Sequence, residues 1–96
     1  MDTVGYESIT VGAVAIGFTA AVLATTPLPL AAFLSVEDAG VAGMRFRIDG
    51  TSPTAAEGHL LHDEDSITIS GLGDLNRFRA IRVGVVDVTI RVTYMA

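Results

Sequence analysis

The stretch Met44 to Thr54, MRFRIDGTSPT, decides the fold of this chain. Apolar and charged residues alternate from Met44 to Asp49, so the two kinds of side chain point to opposite faces of an extended strand. Asp49 and Gly50 then predict a turn, because glycine takes positive φ without steric cost and aspartate accepts a hydrogen bond from the backbone just downstream. Pro53 disfavours helix at the residue before it, so the chain leaves this structural turn extended.

Other stretches of the chain carry similar strand signals. A second strand is expected to place Val14, Ile16 and Phe18 on one face. The alternation slips at Ala80 and Ile81, which predicts a β-bulge or burial on both faces. The predicted strands cover residues 6–11, 14 to about 23, 31–37, 43–49, 66–70, 77–83 and 86–94. Residues 25–30, with two prolines, are expected to connect strands, as are the long polar stretch 51–65 and the turns at 37–40 and 71–74.

No stretch has a convincing amphipathic helical pattern. About seven short strands separated by turn signals are typical of an antiparallel β-sandwich of the immunoglobulin-like kind. The sequence therefore predicts an all-β protein with residues 1–96 in a single domain.

Size and composition predict a domain that gains from having partners. A chain of 96 residues hides only about 60–65% of its unfolded surface, so its margin of stability alone is thin. It has no cysteine, which excludes disulfides and thiolate zinc sites. Half of its residues are hydrophobic, yet few are aromatic, and this favours thin β-rich packing with apolar surface left over for a partner.

The charge pattern argues against nucleic acids and membranes as partners. A net charge of −5 lacks the basic footprint that DNA or RNA binding requires. The uncharged stretch 8–36 is long enough to be considered as a membrane segment, but glycines interrupt its front and prolines its back. No basic residue precedes Arg45, so neither a signal peptide nor a positive-inside flank is expected.

Residues with catalytic or metal-binding chemistry do not form a recognisable motif. His59 and His62 precede the acidic run 63–65, a combination that could bind zinc or calcium, but the spacing fits a solvated loop better. No serine has a nucleophile-elbow motif around it, and Gly71-Leu72-Gly73 lacks the rest of a dinucleotide fingerprint. We therefore expect no enzyme, no catalytic residue, no cofactor and no metal.

The basic residues suggest a protein interface. All six are arginine, a bias that either base composition of the genome or a role in contacts explains. Arg45 and Arg47 share one strand face, Arg77 and Arg79 another, and adjacent strands would crowd all four guanidinium groups together. They would pair with carboxylates of another subunit or with acids of this chain, for which the candidates are Glu37, Asp38 and Asp87.

Two families resemble the chain. Residues 46–54, FRIDGTSPT, with FRAI at 78–81, resemble the immunoglobulin-like module at the C-terminus of chitobiase-like enzymes, in which the motif is structural. GHLL at 58–61, FRAIR at 78–82 and VTY at 92–94 extend a resemblance to short virion proteins of tailed bacteriophages over most of the chain. The second resemblance implies a capsid decoration or cement protein, located in the virion and assembled in the host cytoplasm. Its partners would be the major capsid protein, other virion proteins and further copies of itself.

Contacts alone would carry out such a role. The expected anchors are the apolar N-terminal stretch and a hairpin near residues 84–87, where Val85 and Val86 would be unusually apolar for a hairpin tip. One alternative is a neck, tail or fibre component of the same virion. Another is a carbohydrate-binding β-sandwich module, which would need exposed aromatic residues to stack on sugars, whereas most aromatics here fall on expected core faces.

Overall fold

Seven antiparallel strands and two short helices make up the computed structural model, which describes residues 1–96. The strands are β1 (Thr3–Val11), β2 (Ala31–Glu37), β3 (Met44–Arg47), β4 (His59–Leu61), β5 (Ser66–Ser70), β6 (Arg79–Arg82) and β7 (Val88–Met95). The helices are α1 (Ala20–Leu23) and α2 (Leu72–Arg77). Neither helix has the length or the apolar run that a membrane crossing requires.

The strands form two sheets whose inner faces pack on each other. The four-stranded sheet has the order β1-β7-β2-β5, and the three-stranded sheet has the order β4-β3-β6. The predicted antiparallel all-β sandwich is confirmed. In the immunoglobulin constant-type order the last strand lies in the sheet opposite the first two strands. Here β7 instead lies between β1 and β2 and pairs with both.

The period-two pattern of β7 builds much of the core. Its alternate residues from Val88 to Tyr94 are fully buried, and the polar residues between them point to the other face of the sheet. Met44, in β3, and Phe78, directly before β6, belong to the same core on the side of the three-stranded sheet. Both are also fully buried. Phe78 stacks on Phe18 with ring centroids 4.2 Å apart, so aromatic packing fills the space between the sheets.

The strand predicted at residues 43–49 forms as β3 but ends earlier, at Arg47, and the chain turns at Asp49 and Gly50. Met44 is buried in β3, while Arg45 lies on the opposite face. A carboxylate oxygen of Asp49 accepts a hydrogen bond from the Thr51 amide at 3.2 Å, as an Asx turn requires. Gly50 has φ of +88°, a conformation that favours glycine.

The prediction of a second strand at residues 14–23 is wrong. Residues 12–19 form only one isolated bridge, between Ile16 and Ala80, and α1 follows. Phe18 is buried, but Val14 is 81% exposed, so the predicted common face does not exist. The physical reason is that this segment leaves β1 and crosses to the free edge of β6 in the other sheet, so its side chains turn in different directions.

Two further elements differ from the prediction. β4 lies inside the stretch expected to be a polar connection, and it exists because it pairs with β3, with Leu61 opposite Met44. α2 replaces the predicted turn at 71–74 and the start of the strand at 77–83, because it buries Leu75. The register of β3 with β6 is continuous, so no bulge occurs at Ala80, and the irregularity lies in β1 between Thr3 and Gly5.

Glu7 binds the segment that crosses between the sheets, residues 12–19, which we call the crossing segment. The buried Tyr94 hydroxyl donates a hydrogen bond to its carboxylate, and so does the hydroxyl of Thr19. Burial raises the pKa of Tyr94, and the hydrogen bond to Glu7 raises it further. One carboxylate therefore joins β1, β7 and the segment that closes this side of the sandwich.

Replacing Glu7 with leucine is expected to destabilise the protein by about 2–3 kcal/mol, because two hydroxyl donors lose a charged acceptor and one of them is buried. Urea unfolding of Glu7→Leu, Tyr94→Phe and the double variant measures the coupling. Additive effects of the two substitutions would contradict a direct contact.

The raised pKa of Tyr94 also predicts a pH dependence of stability. The folded state holds the phenol proton more tightly than the unfolded state, so this stabilisation is complete below about pH 10 and is lost as the pH rises further. Tyr94→Phe should lose that part of the alkaline slope. An unchanged slope above pH 10 in the variant would contradict the prediction.

Candidate protein interface

Two loops meet at one end of the sandwich and present valine side chains to solvent. These are the β2–β3 connection, residues 38–43, and the β6–β7 connection, residues 83–87. The Val83 amide donates to the Gly43 carbonyl at 3.1 Å, so the loops lie side by side. Val41 is 98% exposed, Val85 is 90% exposed and Val86 is 53% exposed. Exposed apolar side chains grouped in this way are typical of an interaction surface.

The segment after β1 begins beside these loops. The Arg82 amide donates to the Gly12 carbonyl at 3.0 Å, which brings Gly12 beside the start of the β6–β7 connection. We call the surface formed by Val41, Val85 and Val86 the valine end. Sequence reasoning found Val85 and Val86 but missed Val41. The signal for Val41 was present, since it is an apolar residue within a glycine-flanked turn.

β6 and β7 lie in different sheets, so residues 83–87 are not a hairpin tip. They cross from one sheet to the other, and Arg82 pairs with Asp87 at the start and end of the crossing. This pair fixes the loop from which Val85 and Val86 project.

Acidic residues lie beside the valine end. The β4–β5 turn is tied to β2, because the Glu64 amide donates to the Val36 carbonyl at 2.9 Å. A carboxylate oxygen of Asp63 accepts a hydrogen bond from the Ala39 amide at 3.4 Å. Together with Asp38, these residues give the apolar surface a negatively charged flank, so a partner surface with an apolar centre and a basic rim would match it.

Three of the four candidate arginines share the outer face of the three-stranded sheet. β3 and β6 are neighbours, with Arg47 directly opposite Arg79 and Arg45 opposite Ile81. Arg77 lies at the end of α2, where its guanidinium is 4.0 Å from Asp74. The structure therefore brings Arg45, Arg47 and Arg79 together and places Arg77 at the end of the face.

The acids expected to pair with these arginines within the chain do not do so. Glu37 pairs with Arg91 at 3.1 Å, Asp87 pairs with Arg82, and Asp38 forms no ion pair. Arg47 instead pairs with Asp49. Its hydrogen bonds hold the pKa of Asp49 below its usual value, and the Thr51 amide adds to that effect.

Arg45 and Arg79 hydrogen-bond only to backbone carbonyls. Arg45 donates to the carbonyls of Ala55 and Gly58, at 3.1 and 2.8 Å. Arg79 donates to those of Asn76 and Phe78, at 3.1 and 2.6 Å. Both guanidinium groups thus have no carboxylate partner within the chain. Carboxylates of another subunit would supply the stronger, charge-assisted hydrogen bonds.

The side of the sandwich opposite the crossing segment is open. An apolar groove of about 550 Å³ runs between the edge strands β4 and β5. Its apolar lining consists of Phe46, Ile48, Leu60, Leu61, Ile67 and Ile69. The groove shows that the two sheets are not sealed from solvent along this side.

The two histidines lie on and just beyond β4. The imidazole of His59 packs against Phe46, with ring centroids 5.3 Å apart. His62 begins the acidic turn, where its amide donates to Asp65 at 2.7 Å. No three His, Asp or Glu side chains in the structure are grouped so as to hold a metal ion. A cleft of about 300 Å³ beside His59 is lined by Arg47 and Asp49, which bind each other.

Comparison of the chain with protein-family models, with curated proteins and with solved structures finds no match.

Proposed function

We propose that this chain is a structural virion protein of a tailed bacteriophage, a capsid decoration subunit that acts through protein–protein contacts. The sequence resemblance to short virion proteins supports the setting. The observation that carries the role is the valine end, because such exposed valines at one end of a small domain suit insertion into a neighbouring protein.

The energy available from the valine end fits attachment to a repeating lattice. Full burial of one exposed valine contributes about 1.5 kcal/mol, and Val86 is already about half-buried, so the three valines together contribute about 4 kcal/mol before any cost is subtracted. Loss of translational and rotational freedom costs about 4 kcal/mol or more. A single contact is then weak, and contacts between neighbouring subunits on a shell strengthen it through multivalency.

The acidic flank narrows the chemistry of the partner. Asp38, Asp63 and Glu64 lie beside the valine end, so the matching site on the capsid would have an apolar centre with lysine or arginine at its rim. The arginine-bearing outer face of the three-stranded sheet is a separate surface, available to a neighbouring decoration subunit.

The N-terminal stretch is part of the fold, which limits its use as an anchor. Residues 3–11 pair with β7 at eight positions of the four-stranded sheet. Deleting residues 1–8 would remove most of a strand, so occupancy of the capsid by that variant would not test attachment. Substitution at the valine end is the cleaner test.

The double variant Val41→Ser/Val85→Ser is expected to bind capsids about a hundredfold more weakly, because two apolar side chains no longer enter the partner. Both side chains are almost fully exposed, so the fold should be unaffected. Leu28→Ser, at an exposed apolar residue outside the valine end, is the matched control and should bind normally. Occupancy is measured by mass spectrometry of purified particles.

Electron microscopy of the same particles tests the proposed location. Density for the protein repeated over the shell is the expected result, whereas density at the neck, tail or fibres would support the alternative placement. Unchanged occupancy of the valine variant, or absence of the protein from purified particles, would overturn the proposal.

A further inference from the structure

The outer face of the four-stranded sheet carries two exposed aromatic residues in one cross-strand row. Tyr6 on β1 lies opposite Thr93 on β7, which in turn lies opposite Phe33 on β2. Tyr6 is 61% exposed and Phe33 is 43% exposed. We call these three residues the aromatic row. Two intervals between neighbouring strands separate the rings by about 10 Å.

A polar network lies in the adjacent rows of the same face. Arg91 donates to the Ser8 hydroxyl at 2.8 Å and to a carboxylate oxygen of Glu37 at 3.1 Å. The Ser8 hydroxyl is 3.5 Å from the Tyr6 hydroxyl. These contacts hold the guanidinium and the carboxylate in place on the outer face, beside Tyr6.

The face is electrically neutral, unlike the chain as a whole. Three cross-strand rows of this face start at Tyr6, Ser8 and Thr10 of β1. Arg91 and Glu37 are the only charged residues in these rows, and they pair with each other. Serine and threonine occupy the remaining positions beside the aromatic rings. A neutral ligand rich in hydroxyl groups complements this surface, whereas nucleic acid, an anionic membrane or a charged peptide does not.

We propose that this face binds an uncharged polysaccharide whose sugar rings are β-1,4-linked. Hexopyranoses have apolar C–H faces that stack on aromatic rings and hydroxyl groups that bind paired guanidinium and carboxylate groups. The separation of Tyr6 and Phe33 matches the repeat of a β-1,4-linked disaccharide, so the rings would stack on alternate sugars. A row that crosses three neighbouring strands suits an extended chain rather than its end.

This site is distinct from the valine end, so it goes beyond the proposed virion role. A subunit attached by its valine end leaves the outer face of the four-stranded sheet available. Substitutions in the aromatic row should leave particle occupancy unchanged, and substitutions at the valine end should leave polysaccharide binding unchanged.

Nuclear magnetic resonance titration of the unmodified protein tests the proposal. The probes are soluble hexamers of β-1,4-linked glucose and of β-1,4-linked N-acetylglucosamine, with the α-1,4-linked glucose hexamer as the control. We expect at least one β-linked hexamer to shift amide signals of β1, β7 and β2 while those of β3, β4 and β6 stay in place. The α-linked control should bind more weakly because its chain curves.

Tyr6→Ala and Phe33→Ala should each weaken this binding about tenfold, and the double variant should abolish it. Val85→Ser is the control and should bind like the unmodified protein. The proposal is overturned if neither β-linked hexamer binds at millimolar concentration, or if the shifts map to another surface. Equal binding of the α-linked hexamer, or normal binding by the double aromatic variant, would overturn it as well.

Discussion

Replacing Gly43 with alanine is expected to abolish folding at ordinary temperature. Gly43 has φ of +77°, and a Cβ atom at this position would approach the Leu61 carbonyl oxygen closer than the 3.0 Å that real Cβ atoms respect. The obstacle is the backbone of β4, which is paired with β3 and cannot turn aside as a side chain can. We expect a loss of more than about 4 kcal/mol, a large share of the roughly 5–15 kcal/mol that stabilises a native domain.

Gly50→Ala is the matched control for this prediction. Gly50 also has positive φ, at +88°, but the nearest atom to an added Cβ is 3.7 Å away on the Arg77 side chain. Its cost should be about 1–2 kcal/mol, which is the conformational penalty alone. Far-ultraviolet circular dichroism with urea unfolding compares the variants. Equal losses for Gly43→Ala and Gly50→Ala would contradict the close approach to β4.

Replacing Phe78 with alanine is expected to cost about 3–5 kcal/mol. The Phe78 ring is fully buried and stacks between Phe18, at 4.2 Å, and Phe46, at 5.9 Å. Its removal leaves a cavity that both sheets and the crossing segment share. The segment that carries Phe18 should also lose its order, since that stacking contact is central to its attachment.

Phe33→Ala tests whether burial of the ring is the cause of the stability loss expected for Phe78→Ala. Phe33 lies on the solvent side of β2, and its loss should cost less than about 1 kcal/mol. The midpoint of thermal unfolding measures both variants. Comparable shifts for Phe78→Ala and Phe33→Ala would contradict the assignment of Phe78 to the core.

The elements with a clear period-two pattern were predictable. β3 and β7 alternate apolar with polar residues, and this contrast determines which face is buried before any partner strand is known. The turn at Asp49 and Gly50 was predictable for a different reason, because its chemistry is local: a side chain accepts a hydrogen bond two residues away.

The elements that depend on distant partners were not predictable. Residues 12–24 consist of small and apolar residues with little polar contrast, so their pattern fits a strand as well as the irregular path that the structure shows. β4 has only three residues and is defined by its pairing with β3. α2 has six residues, too few to be stable alone, and forms because Leu75 is buried.

The candidate interface was predictable only where one loop supplied it. Val85 and Val86 are adjacent in sequence and are apolar where a connection should be polar. Val41 joins them because two separate connections between the sheets meet in space, which the sequence does not reveal. Likewise, the alternation of Arg45 and Arg47 predicted their common face, but α2 removed Arg77 from it.

The central position of β7 governs when this protein can fold. β7 pairs with β1 and with β2, yet it is the last of the seven strands to leave the ribosome. Until then, β1 has no neighbour to pair with, and β2 lacks one of its two neighbours. The closing of such long loops makes folding slow and leaves the nascent chain prone to aggregation during synthesis.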